Sequence, residues 1–165
     1  MTTGEGSGTK FETMRGRGYP TIRQFTVFLE NRVGQLQEVV RRFEGTGIRV
    51  AAISINDSAE CAFVRLVLSD YERGRELLER AGLAIIESDL LGVELPDSPQ
   101  PILRVCTALL AAEINIIQAY PLLARIHGQP AMAIMVDNID LATETLNAKG
   151  FRVLTEDDLR DDILE

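Results

Sequence analysis

The chain has no tryptophan, one histidine and only two cysteines in 165 residues. A lone imidazole and two isolated thiols, Cys61 and Cys106, supply neither the ligand spacing of a metal site nor a disulfide framework. Both thiols are expected to be buried. Basic charge is also scarce: 17 Lys and Arg face 25 Asp and Glu, a formal net charge of -8. Binding to phosphate backbones rests on cations that displace counterions, so nucleic acid is not an expected partner. No apolar run reaches the length needed to cross a bilayer, and the Gly-rich first 20 residues have no hydrophobic signal core. A membrane is therefore not expected as a partner, and a cytoplasmic location is.

Catalytic patterns are missing too. Arg15-Gly16-Arg17-Gly18 precedes the first strand instead of following one, so it cannot form a strand-to-helix phosphate loop. His127 lies in the polar segment His127-Gly128-Gln129-Pro130, unpaired by pattern with any nucleophile, and reads as an exposed loop residue. The acidic pairs Asp157-Asp158 and Asp161-Asp162 fall in the C-terminal stretch, which reads as a solvated end or short helix with no pocket to separate their pKa values. The expectation is a protein that is not an enzyme and needs no cofactor.

What the chain does have is a repeat. Asn31-Arg32-Val33-Gly34-Gln35-Leu36 is answered by Asp97-Ser98-Pro99-Gln100-Pro101-Ile102, each following an apolar strand-like run and preceding an amphipathic stretch. Asn31 matches Asp97, Leu36 matches Ile102 and Ile48 matches Ile114, all 66 residues apart. Farther on the offset is 68, with Asp70 against Asn138 and Gly82 against Gly150, which places a two-residue insertion between the middle strands. Each copy is marginal alone, so the two are expected to pack together.

Residues 22–29 alternate as a strand with Phe25, Val27 and Leu29 on one side. Leu36, Val39, Val40 and Phe43 then recur at helical spacing until Gly45 and Gly47. Residues 48–56 and 61–68 read as a hairpin, and Asp70 as the cap of a second helix that Gly82 closes. Two strand-like pieces follow, 83–87 and 90–95, with Ser88-Asp89 between them. Copy two continues as a helix over 99–112, strands over 114–123 and 131–137, a helix over 139–149 and a strand over 151–154.

The order strand, helix, strand, strand, helix, strand in each copy is the split βαβ arrangement. It predicts an α+β fold of two tandem ferredoxin-like units, antiparallel with helices on one face, forming an eight-stranded sheet or two closely packed sheets. The expected divisions are a flexible N-terminal tail over 1–20, units over 21–88 and 89–159, and an acidic tail over 160–165. Arg23 and Gln24 are placed on an exposed sheet edge, and Met132 and Met135 in core gaps.

The repeated turn resembles that of the ACT domain family, in which Asn or Asp, any residue, Pro, Gly, any residue and Leu precede a helix and a Gly-Ile-Asn-Ile-like strand. Copy one supplies Asn31, Val33, Gly34 and Leu36, then Gly47-Ile48-Arg49-Val50; copy two supplies Asp97, Pro99 and Ile102, then Glu113-Ile114-Asn115-Ile116. The whole chain resembles tandem ACT proteins without an enzyme domain. That resemblance implies a regulatory protein that binds a small amino acid where the turn of one copy meets the second strand of its neighbour. The carried-over contacts are Asn31, Val33, Gly34, Gln35 and Leu36 with Gln118, Ala119 and Tyr120. A reciprocal site would use Asp97, Ser98, Pro99, Gln100 and Ile102 with Ile53, Ser54 and Ile55.

Free amides at a helix start suit a carboxylate, and Gly34 lets the backbone approach a ligand or take a positive φ. Val33 and Gln100 depart from the family's Pro and Gly, and Asn31 and Gly34 read equally well as plain turn residues. The resemblance further implies control of amino-acid metabolism, with similarity to the small regulatory subunit of acetolactate synthase, a metabolic enzyme as partner, and a homodimer. The alternative is an assembly module that binds no ligand.

Overall fold

The computed structural model describes residues 18–30, 32–57 and 61–161, so most of the two expected tails, and Asn31, lie outside the described residues. The elements run β1 (Ile22–Glu30), α1 (Gln35–Arg41), β2 (Val50–Asp57), β3 (Cys61–Leu68), α2 (Tyr71–Arg80), β4 (Ile85–Glu94), α3 (Pro101–Ala111), β5 (Ile116–Pro121), β6 (Ala131–Val136), α4 (Ile139–Ala148), β7 (Val153–Leu154) and α5 (Glu156–Asp161). The tandem ferredoxin-like order is present. Local chemistry starts the second helix of each copy in the same way: Asp70 accepts from the Arg73 amide at 3.2 Å, and Asn138 accepts from the Leu141 amide at 3.1 Å. Each satisfies a donor that the helix itself cannot.

The two strands expected around Ser88-Asp89 are one. β4 runs unbroken through both residues, so the boundary expected between 88 and 89 falls inside a strand and the sheet has seven strands instead of eight. The polar pair does not turn because its neighbours satisfy it. Gln24 lies opposite Ser88 and Arg23 opposite Asp89 in the β1–β4 ladder, and the Arg23 guanidinium reaches Asp89 at 3.3 Å and Glu87 at 3.2 Å. The first half of β4 completes copy one against β1, and its second half opens copy two against β6 and β7.

The strand order is β2-β3-β1-β4-β6-β5, with β7 also paired to β4. The sheet curls until its two outer strands approach, and the Leu123 amide, just past β5, donates to the Ala51 carbonyl of β2 at 2.7 Å. Three apolar cores result. Phe25, Val27 and Leu29 pack with Val39, Phe43 and Leu78 beneath the first helix pair. Leu91 and Val93 pack with Val105, Leu109 and Leu146 beneath the second. The third fills the inside of the curl with Ile22, Ala52, Val67, Leu90, Tyr120, Ala133 and Leu154. This shared interior is the apolar area that neither copy could bury alone.

Because β1 is central, Arg23 and Gln24 are buried instead of lying on an exposed edge. Arg23 also stacks over the Tyr71 ring at 4.9 Å, which with its two carboxylates compensates the burial of its charge. Met132 and Met135 are half-buried against the second and third cores. Cys61 and Cys106 are half-buried instead of buried, and they form no disulfide. The acidic end folds into the short α5, whose Leu159 is buried in the third core.

Candidate functional site

The first turn is bare. Gly34 takes φ +91°, a left-handed conformation that favours glycine, and no side chain caps the helix that follows it. A Cβ there would meet nothing within 4 Å, so the backbone angle and not crowding calls for glycine. Val33 is wholly exposed, while Gln35 and Leu36 are half-buried. Leu36 packs on the first core. Arg32, which the motif did not single out, pairs with Glu30 at 3.2 Å. With the Gln35 amide turned so that its oxygen faces the guanidinium, Arg32 also donates to it at 2.6 and 2.8 Å. A cation thus stands beside the exposed turn.

The second turn is built differently. Asp97, Pro99 and Gln100 are exposed, Gln100 has an ordinary negative φ of -134°, and Pro101 occupies the first turn of α3, where its missing N–H costs nothing. The Ser98 hydroxyl is buried with no partner among the described residues, and Ile102 is half out in solvent. The two turns are not equivalent.

The strand residues named with these turns lie elsewhere. Tyr120 points into the curl, where its hydroxyl donates to Oε1 of Gln24. Gln118, two residues earlier on the same face, has its amide oxygen 3.0 Å from both Nε and Nη2 of Arg65 in the orientation that satisfies both groups. Arg65 also donates through Nη1 to Asn56 Oδ1 at 2.9 Å. Ser54 is opposite Arg65 in the β2–β3 ladder and shares its face. Ala119 and Ile55 are exposed, and Ile53 packs on the first core.

The fold therefore brings Gln118, Tyr120 and Ser54 together, taking strand residues from both expected sites, and it holds the first turn apart from them. Gln24 and Glu30 are six residues apart on β1, about 20 Å at the usual strand rise. Gln24 and Arg65 were not singled out as site residues from the sequence. The available signal was parity: residues 22, 24 and 26 of β1 and 63, 65 and 67 of β3 share one face, and a central strand covered on both sides buries both of its faces. Burial pushes the Tyr120 phenol well above its ordinary pKa, with the nearby Arg65 charge pulling weakly the other way.

His127 is less idle than a loop histidine. Its Nδ1 lies 2.8 Å from Glu94 Oε1, and its Nε2 lies 3.2 Å from Arg152 Nη2 and 3.4 Å from Asp158 Oδ1. The cluster ties the β5–β6 loop to β4 and α5. Among the described residues no group of three or more His, Cys, Asp and Glu could hold a metal ion, and no helix is long and apolar enough to cross a membrane.

Comparison with known proteins agrees with this architecture. A family model described as an ACT domain pair matches residues 20–163. Among solved structures, protein BT0572 from Bacteroides thetaiotaomicron is 26% identical and superposes with a TM-score of 0.76, covering 85% of this chain and 96% of its own. The ligand-free regulatory subunit of aspartate kinase from Thermus thermophilus is 15% identical with a TM-score of 0.55, covering 78% of this chain and 89% of its own. The aspartokinase alpha and beta subunit structure is 16% identical with a TM-score of 0.51, covering 78% and 92%. No curated protein matches the chain.

Proposed function

The chain belongs to the ACT domain pair family, and from that premise we propose that it is a non-catalytic regulatory protein that binds a small amino acid at its first turn. The observation that carries this reading is the left-handed, uncapped and solvent-open backbone at Gly34, flanked by the Arg32 cation. A carboxylate placed there meets a positive side chain and main-chain amides at close range. Val33, Gln35 and Leu36 surround it, with Asn31 next in the chain.

Since β5 turns Gln118 and Tyr120 inward, the facing surface comes from a second copy, and the exposed Ala119 side of β5 is the part left to supply it. A homodimer fits the helix layer of copy two. Whereas α2 carries Glu72, Arg73, Arg75, Glu76, Glu79 and Arg80, α3 shows solvent Ile102, Leu103 and Leu110. A ligand that favours one packing of the copies changes what a partner enzyme meets, and only such differential binding transmits a signal. The place of action is the cytoplasm, in control of amino-acid metabolism. In the sharper form of this reading, a relation to the small regulatory subunit of acetolactate synthase, the ligand is branched and apolar.

Thermal melting in the presence of each amino acid tests the reading. One or a few should raise the melting temperature by mass action, and Gly34→Val should remove that response while leaving a cooperative transition. A flat response to the whole panel at millimolar concentrations would favour the alternative, an assembly module without a ligand.

A further inference from the structure

Inside the curl, beyond the apolar core, lie two polar rungs that no structural need explains. The first joins β1 to β5 through Gln24 and Tyr120; the second joins β3 to β5 through Arg65 and Gln118. Gln118 and Tyr120 are two residues apart on one face, so the rungs stand about 7 Å from each other.

Both rungs present spare donors. Gln24 is fully buried, and its Nε2 has no partner among the described residues although its Oε1 is occupied by Tyr120. A buried amide N–H left unmade is destabilising, and an apolar residue at this position would avoid it. Arg65 uses three of its five N–H donors on the neutral oxygens of Gln118 and Asn56, and no carboxylate among the described residues pairs with it. The remaining side chains on this part of the inner wall, Thr26, Ser54, Ile86 and Ser88, carry no negative charge. Half-exposed Thr26, Ser54 and Ser88 show that this end of the curl opens to solvent, while Ile22, Ala52, Val67 and Leu90 seal the other.

We infer that the open end of the curl is a second binding site, distinct from the Gly34 turn, for a small organic carboxylate without an amino group. The two oxygens of a carboxylate let it accept from a donor on each side, and rungs about 7 Å apart are close enough for one such group to lie between them. It would neutralise Arg65 and satisfy Gln24 at once. An ammonium group would find no acidic partner there, and this distinguishes the site from one built for a zwitterion. The site needs nothing from the amino-acid reading above.

Pyruvate serves as the probe, with alanine and inorganic phosphate as controls, all added to the full chain. Pyruvate should raise the melting temperature and shift the side-chain NMR signals of Arg65 Nε and Gln24 Nε2. Arg65→Gln should weaken that binding by roughly tenfold or more, the loss of one charged hydrogen bond. Gly34→Val should leave it unchanged, which separates this site from the turn. Should Arg65→Gln not fold, the two side-chain signals of the unmutated chain decide. The inference is overturned if pyruvate moves neither signal, if alanine or phosphate binds as well as pyruvate, or if binding survives Arg65→Gln in a folded protein.

Discussion

Tyr120 shows how a single side chain is committed to the interior. It is buried with its hydroxyl on Gln24, and burial raises the pH at which it can lose its proton. Its folded pKa lies above the unfolded value near 10, so the stability it lends is complete below about pH 10 and is lost as pH climbs past that point. In an alkaline absorbance titration, Tyr120, one of three tyrosines in the chain, should ionise only as the protein unfolds. Tyr120→Phe should remove that late step. The residue was identifiable in the sequence as a strand-end tyrosine and as a ligand candidate. Its partner was not, because Gln24 lies 96 residues away and the contact exists only once the sheet has curled. The pairing of Arg65 has no signal in the sequence for the same reason, since its partner Gln118 lies on another strand.

At the scale of elements, the helix starts were the most legible part of the chain. Asp70 and Asn138 sit 68 residues apart in equivalent places, and each caps its helix through a bond that spans three residues. Local bonds leave local signatures. Asn138→Ala should lower stability by about 1 kcal/mol in urea titration, the usual worth of a cap. Asp70→Ala should cost more, because Asp70 Oδ2 also receives Arg160 of α5 at 3.1 Å. Asp70→Asn, which keeps the cap and loses the ion pair, should fall between wild type and Asp70→Ala. The same local logic fails at β4. Ser88-Asp89 has the composition of a turn, and what holds it extended is Arg23, on a strand more than sixty residues earlier.

For the molecule as a whole, the repeat foretold two ferredoxin-like units and their close packing, and the curl that joins β2 to β5 had no sequence signal at all. The hydrogen bond between Leu123 and Ala51 that ties β5 to β2 involves backbone atoms that any residue carries. The outer surface is better marked. α3 leaves Leu110 75% exposed and Leu103 60% exposed, where α1 and α2 of copy one show mostly charge. If this face joins two copies, Leu110→Glu should convert dimer to monomer in sedimentation velocity without lowering the melting temperature of the subunit, since nothing within the fold covers that side chain. β4 carries a different lesson. Each half of the molecule borrows part of its sheet from that one strand, so neither is a cassette that recombination could lift out intact. Once the duplicated halves had come to hold a strand in common, the pair could be inherited, shuffled or engineered only as an indivisible whole.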